Sequence, residues 1–323
     1  MNASLLPARE PDTPAETPSS GVLPTPDVPS GVEQPSGKQA ASENFPVGSW
    51  LLGARLRPHI VTFYNFARAI DDIADSPALS PDEKRARLGG FAEVVKTGTL
   101  AAGYEKATAM AESLAGTGVT VQHCLDLVAA FCLDARQDST RGRYDDWAAL
   151  MAYCRLSAAP VGRYLIDLHG GSRRSSGGGG GMDAYAASDA LCCALQVINH
   201  VQDCGDDYRT LGRVYLPSNW MDAEGADVSM LERGATSPEL GRVLERMLDA
   251  TDALLVASRG SPGQLRSRRL ALEAAVIQRI AEALVAKLRR EDPLAGRVSL
   301  GRFRVAVCGL LGVLTGIFLP SGV

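Results

Sequence analysis

Tyr64-Asn65-Phe66-Ala67-Arg68-Ala69-Ile70-Asp71-Asp72-Ile73-Ala74-Asp75 reads as one helix with acids on a single face. Residues four apart on an α-helix are separated by about 40° of rotation and about 6 Å of rise. Asp71 and Asp75 therefore share a stripe, with Arg68 and Tyr64 one and two turns earlier on it. Around them stand Ile60, Val61, Phe63, Phe66, Ile70 and Ile73. Acids in such company are expected to border a buried cavity rather than a solvated side.

A second stretch repeats the spacing: Gln196-Val197-Ile198-Asn199-His200-Val201-Gln202-Asp203-Cys204-Gly205-Asp206-Asp207. Gln196, Asn199, Asp203 and Asp207 fall on one stripe of an otherwise apolar helix. Two carboxylates one turn apart repel each other, and a divalent cation removes the conflict. Carboxylate and amide oxygens are hard donors suited to Mg²⁺, which bridges protein acids and substrate phosphates. A solvated acidic face is the plain alternative for either stretch alone. It is a poor account of two D-x-x-x-D stretches with the same apolar setting.

Outward from these motifs the chain keeps a helical period. Apolar residues recur at three and four in 46–75, 120–136, 146–169, 185–208, 240–257 and 267–290. Ser80-Pro81-Asp82-Glu83 carries a cap residue, a proline for the first turn and two acids, so a helix starts there. Alternating β-branched runs are nearly absent, and an all-α fold is expected. Residues 1–40 hold eight of the 18 prolines and read as a disordered tail. Residues 170–181, ending in five glycines, read as a flexible connection between two helices. A phosphate-cradling loop would need a preceding strand and a GxGxxG or GxxxxGK[ST] frame, and neither occurs.

The bulk numbers narrow the class. A net charge of −4 gives no reason to expect a nucleic-acid partner. Seven cysteines with no CxxC pair read as buried thiols in a reducing compartment, and no zinc site is expected from them. No basic start followed by an apolar core marks a secretory signal. The apolar run Val305 to Leu319 falls short of the roughly 20 residues that span a bilayer. A buried terminal helix is the expectation for the C-terminal segment 305–323, with a membrane-touching or tunnel-lining helix as the alternative.

Taken in order, the residues resemble the squalene/phytoene synthase family. The resemblance covers about residues 42–300 and rests on Tyr64-x-Phe66-x-Arg68-x-x-Asp71-Asp72-x-x-Asp75, then Tyr153-Cys154 with Val161-Gly162, then Gln196-x-x-Asn199 with Asp203-x-x-x-Asp207, then Arg213-x-Tyr215-Leu216-Pro217. It implies one all-α isoprenoid synthase domain over 41–304 with a central cavity. It also implies that Asp71, Asp75, Asn199, Asp203 and Asp207 hold Mg²⁺ against a substrate diphosphate. Arg68, Arg213 and Gln196 would bind that diphosphate, and Tyr64 and Tyr153 would stand at the reaction centre. Phe45, Phe66, Val161 and Gly162 would line the cavity.

Within the family, Glu43-Asn44-Phe45-Pro46-Val47-Gly48-Ser49-Trp50-Leu51-Leu52 and Tyr153-Cys154-Arg155-Leu156-Ser157-Ala158-Ala159-Pro160-Val161-Gly162 are similar to a bacterial branch, the hydroxysqualene synthases of hopanoid pathways. That branch takes presqualene diphosphate, expels diphosphate and lets water capture the rearranged cation, with no nicotinamide. Condensing members often carry a basic, serine-rich string where this chain has Glu43. At about 5 Å and an effective dielectric of about 20, one such charge against a phosphate charge costs about 3 kcal/mol. That is roughly a hundredfold in affinity. Farnesyl diphosphate, the substrate of a condensing member, is therefore the alternative, and an inactive lipid-binding relative is a second. A cytoplasmic protein with peripheral membrane contact is expected.

Overall fold

The structure, a computed structural model, describes residues 53–135, 144–172 and 184–317, all within the unit Gly31–Val323. The expected tail over 1–40, Glu43, Phe45 and most of the glycine-rich connection lie outside the described residues. Thirteen α-helices and one 3-10 turn account for most of what is described. Among the described residues no strand forms, only the isolated bridges Tyr144–Pro217 and Ser172–Leu265.

The first half is α1 (Arg57–Asp75), α2 (Pro81–Thr97), α3 (Glu105–Thr117) and α4 (Gln122–Asp134). α2 starts where the sequence places it. Ser80 Oγ accepts from the Glu83 amide, and the Glu83 carboxylate accepts from the Ser80 amide, a reciprocal capping box. The α1 positions Ile60, Phe63, Phe66, Ala69, Ile70 and Ile73 are buried at helical spacing. They join Leu88 and Phe91 of α2, Met110 of α3 and Leu127 of α4 in one apolar cluster.

The expected run 146–169 is two helices, α5 (Trp147–Ser157) and α6 (Ala159–Leu168). The chain breaks at Ala158, with φ −124° and ψ −45°, because Pro160 brings no amide hydrogen to a continued helix. The run 185–208 also divides, into α7 (Ala184–Gln202) and α8 (Cys204–Leu211). Here Asp203 leaves helical geometry, φ −105° and ψ 9°. The hydrogen bonds Asp203 N to Asn199 O, 2.9 Å, and Asp207 N to Asp203 O, 2.7 Å, carry the ladder across the break. The acidic stripe thus survives as a bend rather than a straight line.

α9 (Ser218–Glu224), α10 (Pro238–Ser258), α11 (Ser261–Gln264), α12 (Arg268–Leu288) and α13 (Arg302–Ile317) complete the fold. α7 packs on α10, α12 on α13, and α6 on α7. A second apolar cluster gathers α5, α7, α10 and α12. The seven cysteines are free, and burial pushes the thiols of Cys124 and Cys193 up to about 12.

The C-terminal segment is not a separate piece. α13 lies on α12, with Cys308 and Gly312 buried. A Cβ at Gly312 would stand 2.6 Å from the Val276 Cα, so only glycine permits this approach. Val307, Leu310 and Leu311 face outward, exposed by 37%, 63% and 48%. The expectation of a buried helix is therefore half right. No described helix is long and apolar enough to cross a membrane.

Candidate active site

A cavity of about 310 Å³ lies where the two apolar clusters meet. α1 contributes Ile60, Phe63, Tyr64, Ala67, Arg68 and Asp71, one face at three- and four-residue spacing. α7 contributes Ser188, Leu191, Cys192, Leu195, Gln196 and Asn199 in the same way. The wall is closed by Val161, Gly162, Leu165 and Ile166 of α6 and by Leu270, Glu273, Ala274 and Ile277 of α12. Tyr64, Arg68 and Asp71 of the first stripe and Gln196 and Asn199 of the second thus line one chamber, whereas Asp75, Asp203 and Asp207 are not among its lining residues. Its far walls are largely hydrocarbon.

Gly162 sets how closely α6 approaches α7. A Cβ there would meet Ser188 Oγ at 2.3 Å and Cys192 Sγ at 2.8 Å. Both neighbours line the cavity, so the missing methyl group bears directly on its width.

The C-terminal ends of the two motifs meet at Arg213. Its amide donates to Asp207 O at 3.1 Å, and its Nη1 donates to Asp75 Oδ1 at 2.5 Å. Nη2 donates to Ala74 O at 3.0 Å. One residue thereby ties the end of α1 to the end of α8. Burial by itself pulls the Arg213 guanidinium down, but Tyr215, Asp75 and Asp134 outweigh it and hold the group above its usual range. One turn earlier, Arg68 donates to Asp71 Oδ2 at 2.5 Å and to Asp72 Oδ1 at 3.0 Å. Both arginines singled out for diphosphate thus rest on carboxylates of the first motif. Asp203 and Asp207 are half-buried on the bend between α7 and α8.

Asp75, Asp203, Asp207 and Arg213 are not among the lining residues, and Phe66 and Tyr153 also stand elsewhere. Phe66 is fully buried and tilts against Phe91, with centroids 5.8 Å apart. It points into the α1–α2 core, while Phe63 takes the cavity side and stacks on Tyr164 at 3.9 Å. Tyr153 sits behind the wall, its hydroxyl donating to Asp134 Oδ2 at 2.7 Å and its ring among Tyr144, Tyr215 and His200. Burial pushes its phenol well up, with Tyr215 and Asp134 adding to the effect. Tyr153 therefore braces the network that holds Arg213 rather than facing the chamber.

Five polar or thiol-bearing cavity residues escaped the sequence reading: Ser157, Ser188, Cys192, Ser261 and Glu273. Glu273 had a signal, an acid on the apolar stripe of α12. The serines had none.

The oxygen donors of the two motifs fit Mg²⁺ by chemistry. Among the described residues no three carboxylates, imidazoles or thiols form a ready-made metal cluster.

Comparison with known proteins agrees with the all-α fold. The squalene/phytoene synthase family model matches residues 38–304. A hydroxysqualene synthase of Rhodopseudomonas palustris is 43% identical over 272 residues, 84% of this chain and 88% of that protein. One from Zymomonas mobilis is 41% identical over 284 residues, covering 85% and 91%. The crystal structure of a squalene synthase from Alicyclobacillus acidocaldarius superposes with a TM-score of 0.65 at 29% identity, covering 78% of this chain and 90% of that one.

Proposed function

Because the chain belongs to the squalene/phytoene synthase family, enzymes that act on prenyl diphosphates, we propose that it converts presqualene diphosphate and water to hydroxysqualene and diphosphate. The observation that carries the reading is the single chamber lined by Tyr64, Arg68 and Asp71 of the first motif and Gln196 and Asn199 of the second, and apolar beyond them. Likeness to hydroxysqualene synthases over most of both chains supports the choice of reaction. A place in hopanoid synthesis follows from that choice.

The residues divide the work by charge. As the diphosphate departs, negative charge grows on oxygen and positive charge on carbon. Arg68 and Arg213 stabilise the first by exchanging Asp71, Asp72 and Asp75 for phosphate oxygens. Gln196 adds an amide donor. Asp71, Asp75, Asn199, Asp203 and Asp207 would hold Mg²⁺, which supplies Lewis-acid stabilisation of the leaving diphosphate when bound. Phe63, Leu191, Leu195 and Ile277 surround the carbon skeleton with hydrocarbon and keep bulk water from the cation. Tyr64 brings a ring and a hydroxyl to the same wall as Arg68.

The outward face of α13 supports a further part of the reading. Val307, Leu310 and Leu311 offer apolar surface, and the product is an oily C30 alcohol. Loose contact of a cytoplasmic protein with the inner membrane would deliver it to lipid.

The test is direct. Purified protein is given presqualene diphosphate or farnesyl diphosphate, with Mg²⁺, in ¹⁸O-labelled water. Labelled alcohol from the first, without NADPH, is expected, and little C30 product from the second. An unlabelled product, or efficient condensation of farnesyl diphosphate, would overturn the reading.

A further inference from the structure

α12 brings to the cavity one carboxyl group that neither acidic motif explains. Glu273 is 3% exposed and lines the chamber, on a stripe with Leu270, Ala274 and Ile277. α12 gives no other ionisable group to the cavity, and the neighbouring Leu265 and Ser261 are uncharged. An alanine or leucine would continue the apolar stripe, so packing alone does not call for a carboxyl group at this position. The stripe is also distinct from the motifs, which occupy α1 and the α7–α8 bend.

The chemistry of the chamber says what an acid there can do. Departure of diphosphate leaves a carbocation within apolar walls, and the product needs one water delivered to it. Hydrocarbon cannot hold a water; a carboxylate can accept one of its hydrogens and aim the oxygen lone pair. We infer that Glu273 is a catalytic residue of the capture step: it holds the attacking water against the cation and takes its proton. This rests on the reading of the reaction given above.

The step balances without a further reagent. The carbon–oxygen bond to diphosphate breaks, and its electron pair leaves with diphosphate. After rearrangement, a lone pair of water forms the new carbon–oxygen bond. One proton of that water passes to the Glu273 carboxylate and from there to the departing diphosphate or to solvent, which restores the carboxylate. Nothing is oxidised or reduced.

The experiment reads alcohol formed per diphosphate released, with presqualene diphosphate and Mg²⁺, for the native protein, Glu273→Gln and Glu273→Asp. The ratio is taken per turnover, so a fraction of unfolded protein cancels. Positioned bases contribute roughly a hundredfold or more, so Glu273→Gln is expected to lower the ratio by at least about tenfold. The missing carbon should appear as C30 hydrocarbon formed by proton loss. Glu273→Asp, which keeps the carboxylate, should retain more alcohol than Glu273→Gln. An unchanged ratio in Glu273→Gln overturns the assignment. So does a folded Glu273→Gln that releases no diphosphate, since the group then acts before capture. Failure of both variants to fold makes the carboxyl group structural and also overturns it. Native protein that releases diphosphate but makes no alcohol refutes the proposed reaction instead, before any variant is compared.

Discussion

Replacing Arg213 with methionine should cost the fold about 4 kcal/mol, because it removes a charged partner from a largely buried carboxylate. The Arg213 and Asp75 side chains are only 8% and 17% exposed, with Nη1 and Oδ1 2.5 Å apart. With the charge centres about 4 Å apart and an effective dielectric of about 20, their attraction is on the order of 4 kcal/mol. Arg213 also donates to Ala74 O in the last turn of α1, which methionine cannot do. Asp75→Asn keeps the shape, and Arg213 still faces Tyr215 and Asp134, so its cost should be about 2 kcal/mol. The double variant should be less damaged than the sum, with a coupling of about 2 kcal/mol. Urea denaturation of the four proteins measures this. Scanning calorimetry should show Arg213→Met melting about 8–16 °C lower. A coupling below about 0.5 kcal/mol, the size expected of independent sites, would refute the claim that this pair ties the two motifs together.

Asp71→Asn and Asp203→Asn should each abolish diphosphate release at saturating Mg²⁺ while melting near the native temperature. Arg68 keeps Asp72 in the first variant, and Asp203 is half-buried. Retained turnover would remove that residue from the proposed ligand set. Gly312→Val should destabilise by about 1–3 kcal/mol in urea, as overpacking against backbone does, because the added atoms meet Val276. An unchanged midpoint would show that α13 is loosely seated. Leu310→Glu with Leu311→Glu should leave turnover on detergent-dispersed substrate intact and reduce flotation with anionic liposomes. Equal flotation would take α13 out of membrane contact.

What the sequence made legible was local. The α2 capping box spans four residues, and its hydrogen bonds are those that the residue types announce. The α1 stripe Tyr64–Arg68–Asp71 faces the cavity as its spacing predicts. Which of two apolar faces meets the cavity was not legible, since periodicity identifies a face without naming its neighbour. Phe66, expected at the cavity, packs in the core, and Phe63 lines the cavity instead. The α5–α6 break lies inside the run read as one helix, although Pro160 marks it, and nothing at Asp203 warned of the bend after α7. The Arg213–Asp75 pair joins residues 138 apart, and the Tyr153–Asp134 bond depends on how α4 packs against α5. Such partners are chosen by tertiary packing, which a single chain does not print.

The pairing of Arg68 and Arg213 with the acids of α1 has a consequence for how the protein comes into being. A cluster of carboxylates that relied on an imported ion for neutrality would fold only where that ion was plentiful. Here the counter-charges are encoded in the same polypeptide, one of them a helical turn away and the other at the far side of the α7–α8 bend. Assembly of this end of α1 then need not wait on a metal ion. For the Mg²⁺-dependent reaction proposed above, scarcity of the ion would idle the finished molecule without unfolding α1.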